Sequence, residues 1–167
     1  RRQRQMCIRD SVQCVREAGY RVVPIPGASA VVTALSASGL DSYSFTFAGF
    51  VPSSGKARRA ALSALAQKEE AFVLYEAPHR IRELLSDLAD VLHSGRRVVV
   101  ARELTKKFES FDAMTAAELE AWARAHEPRG EYAVVVDMQA KENDELDARD
   151  QKWLRAIACL LYTSPSP

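Results

Sequence analysis

Short β-forming runs alternate with amphipathic helical segments along most of this chain, and this order restricts the fold more than any other feature. Between residues 44 and 138 the predicted order is strand, helix, strand, helix, strand, strand, helix, strand. The strands are predicted at 44–50, 71–75, 97–102, 107–111 and 131–138, and the helices at 56–67, 78–93 and 116–126. This alternation predicts an α/β domain with a mixed sheet.

Local signals support the helix boundaries. Pro78 occupies a favoured first helical position, and Thr115 with Glu118 matches a capping box. The amphipathic pattern of helix 56–67 is expected to turn four residues toward a core, namely Ala60, Leu62, Leu65 and Ala66.

A smaller block precedes this domain. Residues 12–19 are predicted as the end of a helix, with Gly19 where a C-cap glycine belongs. Residues 20–25 (YRVVPI) are predicted as a strand, and residues 28–38 as a helix that stops at Gly39.

The two ends of the chain differ from the rest, because one possible back-translation of each is a sequencing adaptor. The codons ATGTGTATAAGAGACA, read from residue 6, are the reverse complement of TGTCTCTTATACACAT, read from residue 159. We therefore expect residues 1–11 and 159–167 to be adaptor-derived and exclude them from the fold prediction. Residues 12–158 are then expected to be an internal fragment of a longer gene product.

Composition changes once those ends are set aside. The whole chain has a net charge of +1, and without the four arginines and Asp10 of the first segment the remainder carries −2. A global basic field for nucleic acid is excluded, so RNA contacts would need a local patch. Of three cysteines only Cys14 remains, which excludes a disulfide framework and indicates an intracellular protein. No apolar run approaches the roughly 20 residues of a membrane span.

The first candidate site is a strand-to-helix joint formed by Pro26, Gly27, Ala28, Ser29 and Ala30. Its Pro-Gly turn allows another group to approach the backbone, and a helix N-terminus presents N–H groups that bind a carboxylate or a polar ligand edge. Ser29 adds a hydroxyl group. The same residues also suit a plain strand-turn-helix connection, and the pattern alone leaves both interpretations open.

The second candidate site follows the strand at 71–75 and consists of Tyr75, Glu76, Ala77, Pro78, His79 and Arg80. Open α/β sheets place their ligand sites beyond the carboxyl ends of strands. His79 and Arg80 would lie in the first turn of a helix, where cations are unfavourable unless a carboxylate or an anionic ligand answers them. Glu76 can be that carboxylate, so a local Glu–Arg pair is the alternative to a binding site.

The third candidate site follows the strand at 97–102. Arg102, Glu103, Thr105 and Lys106 bring charges and a hydroxyl group to the end of a buried strand. Glu103, Thr105 and Lys106 are predicted to point into a cleft and orient a substrate, and a solvated turn is the alternative.

A small basic patch lies at the start of helix 56–67, in Lys56, Arg58 and Arg59. Cations at this position can hold an RNA backbone, although a solvated helix face is equally compatible with them. A phosphate-binding loop is excluded because the glycine spacing is too long and Ala57 stands at the Ser/Thr position. No His, Cys, Asp or Glu set has metal-ligand spacing, so no metal is expected.

Taken in order, these motifs resemble the tetrapyrrole methylase superfamily. The resemblance is carried by VVPIPGASAVVTALSASGL (22–40), FAGFVPSSGKARRAAL (47–62), YEAPHRI (75–81), VARELTKKFES (100–110) and GEYAVVVDM (130–138). It covers nearly all of residues 12–158, and several motifs in the correct order are more specific than any one of them.

Within the superfamily, YEAPHR and ARELTK resemble the branch that methylates a cytidine ribose 2′-hydroxyl in small-subunit ribosomal RNA. This implies S-adenosylmethionine as cofactor, the small ribosomal subunit as partner, a homodimer, and a cytoplasmic protein without membrane contact. Two alternatives are a methylase of a corrin or porphyrin precursor and a non-catalytic RNA-binding domain.

The family fold has two α/β domains with the cofactor in the cleft between them. By this resemblance, residues 12–40 end the N-terminal cofactor-binding domain and residues 41–140 form the second α/β domain. Residues 141–158 are expected to be a charged linker and the start of a C-terminal helical region. Much of the family's cofactor site lies in the N-terminal half, which is not in this chain.

Carried over by position, the resemblance assigns three groups of residues. Cofactor contacts are expected from Pro26, Gly27, Ala28, Ser29, Ala30, Tyr75, Glu76 and Ala77. Substrate RNA contacts are expected from Lys56, Arg58, Arg59, His79, Arg80, Arg102 and Thr105. Glu103 and Lys106 are the candidates for the base that helps the ribose proton to leave. Ala28 replaces a proline that is common in the family.

Overall fold

The computed structural model describes residues 2–40 and 44–139, and for residues 2–9 it describes the backbone alone. The helices are α1 (Arg2–Glu17), α2 (Ala30–Ser38), α3 (Gly55–Ala66), α4 (Ile81–Val91) and α5 (Leu119–Ala125). The strands are β1 (Phe45–Gly49), β2 (Ala71–Glu76), β3 (Arg97–Arg102), β4 (Ser110–Thr115) and β5 (Tyr132–Val136). Short 3-10 turns at Pro78–Arg80 and Ala116–Glu118 lead directly into α4 and α5.

The strands form one mixed sheet in the order β1-β2-β5-β3-β4. β1 pairs with β2 in parallel, and β5 is antiparallel to both β2 and β3. Because β2 and β3 both run against β5, they run in the same direction as each other and as β1. The carboxyl ends of β1, β2 and β3 therefore meet at one edge of the sheet, which we call the carboxyl edge.

One face of the sheet packs against α3, α4 and α5. This helix-covered face contains the larger core, which includes Phe72, Leu74, Val98, Val100, Val134 and Val136 from the strands and Leu62, Leu84, Leu88 and Leu119 from the helices. Each of these side chains is buried. Complete burial of such a side chain contributes roughly 1.5–3 kcal/mol, so this core is the main source of stability.

The opposite face is covered by α2 over β5 and β4. Val31 and Ala34 of α2 pack on Val73, Val99 and Val135. Phe45 and Phe47 on β1 remain 43% and 48% exposed. The β1–β2 side of this α2 face is thus open within the described part of the chain.

Most of the elements predicted from the sequence are confirmed. The mixed α/β sheet is present, and each of the three helices predicted between residues 56 and 126 is found with small changes at its ends. Gly39 ends α2 in the left-handed conformation at φ 64°. The capping box is formed, because Glu118 accepts hydrogen bonds from the Thr115 backbone and hydroxyl group, both at 2.7 Å.

The strand predicted at 20–25 is wrong, since these residues form no regular element and are exposed. A strand requires a neighbour for its backbone hydrogen bonds, and none of β1 to β5 pairs with this segment. The strand predicted at 107–111 is displaced. Its observed position, Ser110–Thr115, is set by six register pairs with β3, from Arg102–Ser110 to Arg97–Thr115.

Helix α3 presents a different stripe from the one predicted. Ala60 is exposed, whereas Arg58 and Leu62 are buried and Leu65 and Ala66 pack partly against the core. Positions 58, 62 and 65 lie on one side of a helix, and residue 60 points away from that side. The inward position of Arg58 requires a buried charge partner, which α4 supplies.

Some predictions fall at the ends of the chain or concern membrane spans and metal sites. The charged linker and the helix start predicted at 141–158 lie outside the described residues, as does the second adaptor-like segment. The first adaptor-like segment continues α1, which spans Arg2–Glu17. Among the described residues, no helix is long and apolar enough to cross a membrane, and no three metal-ligating side chains are grouped to hold an ion.

Candidate functional site

The carboxyl edge brings together three segments that are far apart in the sequence. These are the loop 50–54 after β1, the turn 77–80 after β2, and the loop 103–109 after β3. The second and third carry two of the three candidate sites. The common direction of β1, β2 and β3 is the reason that they meet.

The N-terminus of α2 lies at the same edge. At one end of this helix, the Val31 backbone lies close enough to the Tyr75 hydroxyl group, next to the end of β2, to affect its pKa. At its other end, Arg97 at the start of β3 donates a hydrogen bond to the Gly39 carbonyl at 3.3 Å. Helix α2 therefore crosses the sheet over β5, with its N-terminus beside the end of β2 and its C-terminus beside the start of β3, and the joint 26–30 reaches the carboxyl edge.

The joint 26–30 is open to solvent. All five residues are exposed, and no described atom lies within 4 Å of the position that a Cβ on Gly27 would occupy. Ser29 stands at the N-cap in an extended conformation and makes no side-chain cap hydrogen bond. The first turn of α2 thus offers N–H groups and an uncommitted hydroxyl group at the carboxyl edge.

Tyr75 lies between this joint and an exposed aromatic pair. Its ring meets Phe47 and Phe50 edge-on, with centroid distances of 4.9 and 5.9 Å. Burial raises the pKa of the Tyr75 hydroxyl group, and the interaction with the Val31 backbone opposes this shift. Phe50 is 65% exposed, so the open side of the α2 face ends in an aromatic surface at the carboxyl edge.

Glu76 and Arg80 form the local pair that the sequence allowed as an alternative. Arg80 Nη2 lies 3.3 Å from Glu76 Oε2 and donates hydrogen bonds to the carbonyls of Val51 and Pro52 at 3.0 and 3.1 Å. Glu76 is 2% exposed, and its Oε1 accepts a hydrogen bond from the Ala77 backbone at 2.9 Å. Arg80 therefore ties the turn after β2 to the loop after β1, and the Glu76 carboxylate is enclosed in the protein.

Glu103 and Lys106 form a compact ionic group with Glu131. Lys106 Nζ lies 2.8 Å from Glu103 Oε1 and 3.2 Å from Glu131 Oε2. The Glu131 backbone N–H donates to Glu103 Oε1 at 2.8 Å, and the Glu103 N–H donates to the Glu131 carbonyl at 2.9 Å. These contacts fix the start of the β3–β4 loop against the start of β5.

The same loop holds two residues in the left-handed backbone region. Glu103 has φ 51° and Thr105 has φ 64°, values that are uncommon for residues other than glycine. Thr105 N–H donates to the Glu109 carboxylate, which closes the loop. Strained backbone of this kind is concentrated at functional sites.

The pKa values of the ionic pair shift in opposite directions. Hydrogen bonds from Lys106 and from the Glu131 backbone lower the pKa of Glu103. Hydrogen bonds to Glu103 and Glu131 raise the pKa of Lys106. At neutral pH both groups are charged, and neither shift favours proton abstraction in this conformation.

The lowered pKa of Glu103 predicts a pH-dependent contribution to stability. This contribution is present above the ordinary carboxyl value and is lost as the pH falls through the pKa of the folded state. Replacing Glu103 with glutamine should lower the free energy of unfolding at about pH 7, and the difference from wild type should shrink by about pH 3. Urea unfolding at several pH values measures this, and a difference that does not change with pH would contradict it.

The basic patch on α3 is divided by the fold. Arg58 is 4% exposed and pairs with Asp87 and with Glu83 on α4, the latter at 3.0 Å. Arg59 lies 3.1 Å from Asp87 and is about half exposed, and Lys56 is exposed. Arg58 faces inward as an ion-pair partner, so only Lys56 and Arg59 keep an accessible charge on this helix.

The remaining predicted contact residues also lie at the carboxyl edge. His79 and Thr105 are exposed, and Arg102 is partly buried at the end of β3. Sequence reasoning missed Gly130 and Glu131, which contact the Glu103 side chain and backbone. Gly130, immediately before the strand predicted at 131–138, was the available signal, since a glycine at such a position marks a close approach of another group.

The mixed sheet and the three loops at its carboxyl edge are the features by which this chain can be compared with known protein families. The profile of the tetrapyrrole (corrin/porphyrin) methylases matches residues 9–120. The chain belongs to this family, which confirms the resemblance predicted from the sequence.

Within the family, the chain is similar to curated proteins named ribosomal RNA small subunit methyltransferase I. It is 51% identical to the Vibrio cholerae protein over 126 residues, which cover 74% of this chain and 43% of that protein. For the Bacillus subtilis protein the identity is 44%, covering 81% of this chain and 45% of the relative. For the Escherichia coli protein it is 42%, with 92% and 54% covered. The chain thus spans about half the length of these relatives.

Solved structures support the fold. A cobalt precorrin-4 methyltransferase aligns with a TM-score of 0.58 at 15% identity, covering 78% of this chain and 57% of that chain. A uroporphyrin-III C-methyltransferase from Thermus thermophilus, solved in complex with S-adenosyl homocysteine, aligns with a TM-score of 0.52 at 14% identity, with 77% and 57% covered. At this identity the likeness concerns the fold alone.

Proposed function

We propose that the protein to which this chain belongs transfers a methyl group from S-adenosylmethionine to the 2′-hydroxyl of a cytidine ribose in small-subunit ribosomal RNA. The observation that carries the proposal is 42–51% identity to three relatives named ribosomal RNA small subunit methyltransferase I. The meeting of the three motif loops at the carboxyl edge supports it. A homodimer in the cytoplasm, with the small ribosomal subunit as partner, belongs to the same proposal.

The cofactor is proposed to lie against the joint 26–30 and Tyr75. The open N–H groups of α2 suit the carboxylate of an amino-acid ligand, and the exposed rings around Tyr75 suit an adenine. Ala77, beside this surface, remains a candidate contact. Glu76 is withdrawn from the cofactor contacts because its carboxylate is enclosed on the helix-covered face. The sulfonium of the bound cofactor supplies the methyl group.

The substrate RNA is proposed to cross the carboxyl edge. Lys56, Arg59, His79 and Arg102 can meet phosphates, and Thr105 offers a hydroxyl group beside them. Arg80 contributes indirectly, since it donates to the carbonyls of Val51 and Pro52. A patch of this kind provides local positive charge in a domain without a basic surplus.

Glu103 and Lys106 are proposed to orient the ribose and not to remove its proton. Lys106 Nζ and Glu103 Oε1 form an ion pair at 2.8 Å. The pKa of Glu103 is lowered, which makes its carboxylate a weaker base, and the pKa of Lys106 is raised, which keeps its amine protonated. Holding the ribose oxygen in line with the methyl group is the larger part of the catalysis in such a transfer. Lys106 can then donate a hydrogen bond to the substrate from a fixed position.

Methyl incorporation into small ribosomal subunits tests the proposal. The intact gene product, with radiolabelled S-adenosylmethionine, should label the small-subunit RNA at a ribose. Labelling of a corrin or porphyrin precursor instead would establish the sister activity of the family. RNA binding without any methyl transfer would support a non-catalytic binding domain and refute the proposal.

This chain by itself should bind S-adenosylmethionine poorly, because it spans about half the length of its relatives and, by the family resemblance, much of the cofactor site lies in the N-terminal part of the family fold. Calorimetric titration of the purified chain should give no saturable heat at cofactor concentrations of about 100 μM. The intact gene product is the positive control. Micromolar binding by the chain itself would show that residues 26–30 and 75–77 form a sufficient site.

A further inference from the structure

Several residues with buried polar atoms lie near Tyr132, just inside the carboxyl edge. In residues 10–40 and 44–139, whose side chains the structure describes, five buried nitrogen or oxygen atoms make no hydrogen bond: Glu76 Oε2, Arg80 Nε, Arg96 Nη2, Arg102 Nε and Trp122 Nε1. Glu76 Oε2 has its ion pair with Arg80 as its contact. Arg96 lies at the opposite end of the sheet, beside Ala66 and Asp137. The other four atoms belong to residues that border Tyr132 or pair with one that does.

The sheet register places these residues together. Tyr132 on β5 is directly opposite Glu76 on β2 and also directly opposite Arg102 on β3. Residues paired in this way project from the same face, and here it is the helix-covered face that contains Tyr132. Glu76 and Arg102 therefore flank the Tyr132 ring on its two sides.

The other two donors approach from the helices. Trp122 on α5 meets the Tyr132 ring edge-on, with centroids 6.5 Å apart. Arg80 Nη2 lies 3.3 Å from Glu76 Oε2. The Tyr132 hydroxyl group accepts a hydrogen bond from the Arg129 backbone at 3.2 Å.

The chemistry of this group selects its ligand. The four atoms comprise three donors and one carboxylate acceptor, and buried polar atoms are costly unless they are hydrogen-bonded. Two guanidinium groups disfavour a cation, and the polar atoms disfavour an apolar ligand. A water molecule can accept from two donors and donate to an acceptor, so ordered water matches this mixture of donors and a carboxylate better than an ion or an apolar ligand does.

We infer that Glu76, Arg80, Arg102 and Trp122 form a buried site for ordered water around Tyr132. This site links the turn 77–80 to the start of the loop 103–109 through a hydrogen-bonded network beneath both. Glu76 is then a positioning residue, which acts on the carboxyl edge through water and through Arg80.

A crystal structure of the intact gene product, at a resolution that shows ordered solvent, tests the site directly. We expect a water molecule within hydrogen-bonding distance of Glu76 Oε2 and of Arg102 Nε or Trp122 Nε1. Direct contact between Glu76 and Arg102, an anion in place of water, or a dry site would overturn the inference. This arm requires no RNA substrate and does not depend on the proposed function.

A double-mutant cycle tests the positioning role, and this arm rests on the proposed function. Glu76→Gln and Trp122→Phe should each lower kcat for RNA methylation by about tenfold, with KM for the cofactor changed by less than about twofold. If they share the water network, the double variant should be little worse than either single variant. Independent effects, about a hundredfold in total, would refute the shared network.

Two controls complete the cycle. Glu120→Gln changes a half-exposed carboxylate on α5 and should leave kcat unchanged. Circular dichroism of each variant measures the fraction of folded protein, so that kcat can be expressed per folded molecule. If Glu76 and Trp122 had a purely structural role, the folded fraction would fall and kcat per folded molecule would not change. A wild-type protein that transfers no methyl group to RNA would refute the proposed function, and the crystal structure would still decide the water site.

Discussion

Replacing Asp87 with alanine should lower the free energy of unfolding by about 3–5 kcal/mol, because it leaves a buried guanidinium group without its main partner. Arg58 is 4% exposed, and its Nε donates to Asp87 Oδ2. After the substitution Arg58 keeps Glu83, whose side chain is 63% exposed and whose interaction is therefore screened by solvent. Urea unfolding of the chain, followed by circular dichroism, measures the loss.

Two further variants show whether the loss comes from the unpaired buried guanidinium group or from the removal of any aspartate from α4. Asp90→Ala changes an exposed aspartate on the same helix, so it should alter the free energy of unfolding by less than about 0.5 kcal/mol. Arg58→Met in the Asp87→Ala background removes the stranded charge and should recover much of the loss. If the double variant is as unstable as Asp87→Ala alone, the unpaired guanidinium group is not the cause.

The sheet could be predicted from the sequence because its central strands are buried on both faces. AFVLY, RVVVAR and YAVVV are near-continuous apolar runs with flanking turn residues, and they became β2, β3 and β5. Helix α5 was equally predictable because its capping box is a local signal. Each of these predictions used residues that are neighbours in the sequence.

The errors occur where the structure depends on distant residues. The run YRVVPI has strand composition, but a strand also needs a partner, and none of the five strands pairs with it. Arg58 looks like a surface cation in the sequence, and only the packing of α3 on α4 shows that Asp87 draws it inward. Propensity alone does not determine either outcome.

The candidate site was predictable only in the part that depends on local sequence. Each of the two charged segments was expected at the carboxyl end of a strand, and the common direction of β2 and β3 brings both to one edge. The enclosure of Glu76 was not predictable, because it depends on Arg80 and on the helices above it. The contact between Gly130 and Glu103, 27 positions apart, also required the fold.

Replacing Gly130 with alanine should disrupt the loop after β3. A Cβ at this position would lie 2.4 Å from Glu103 Cγ, 2.5 Å from Cδ and 2.6 Å from Oε1. The backbone at Gly130 also has φ 80°, which costs a residue with a Cβ about 1–2 kcal/mol. Glu103 must move, and it then loses its contacts with Lys106 and the Glu131 backbone. We expect a loss in the free energy of unfolding that exceeds the backbone cost alone, measured by urea unfolding, because the displacement of Glu103 adds to that cost.

A second background separates the two causes. In a Glu103→Ala chain the atoms that meet the new Cβ are absent, so Gly130→Ala should then cost only the backbone term of about 1–2 kcal/mol. An equal cost in both backgrounds would mean that the left-handed backbone alone accounts for Gly130. In the intact gene product, Gly130→Ala should also reduce methylation of RNA at temperatures where the protein remains folded. Such a loss would show that the glycine is needed to hold Glu103 and Lys106 in place as well as to stabilise the fold.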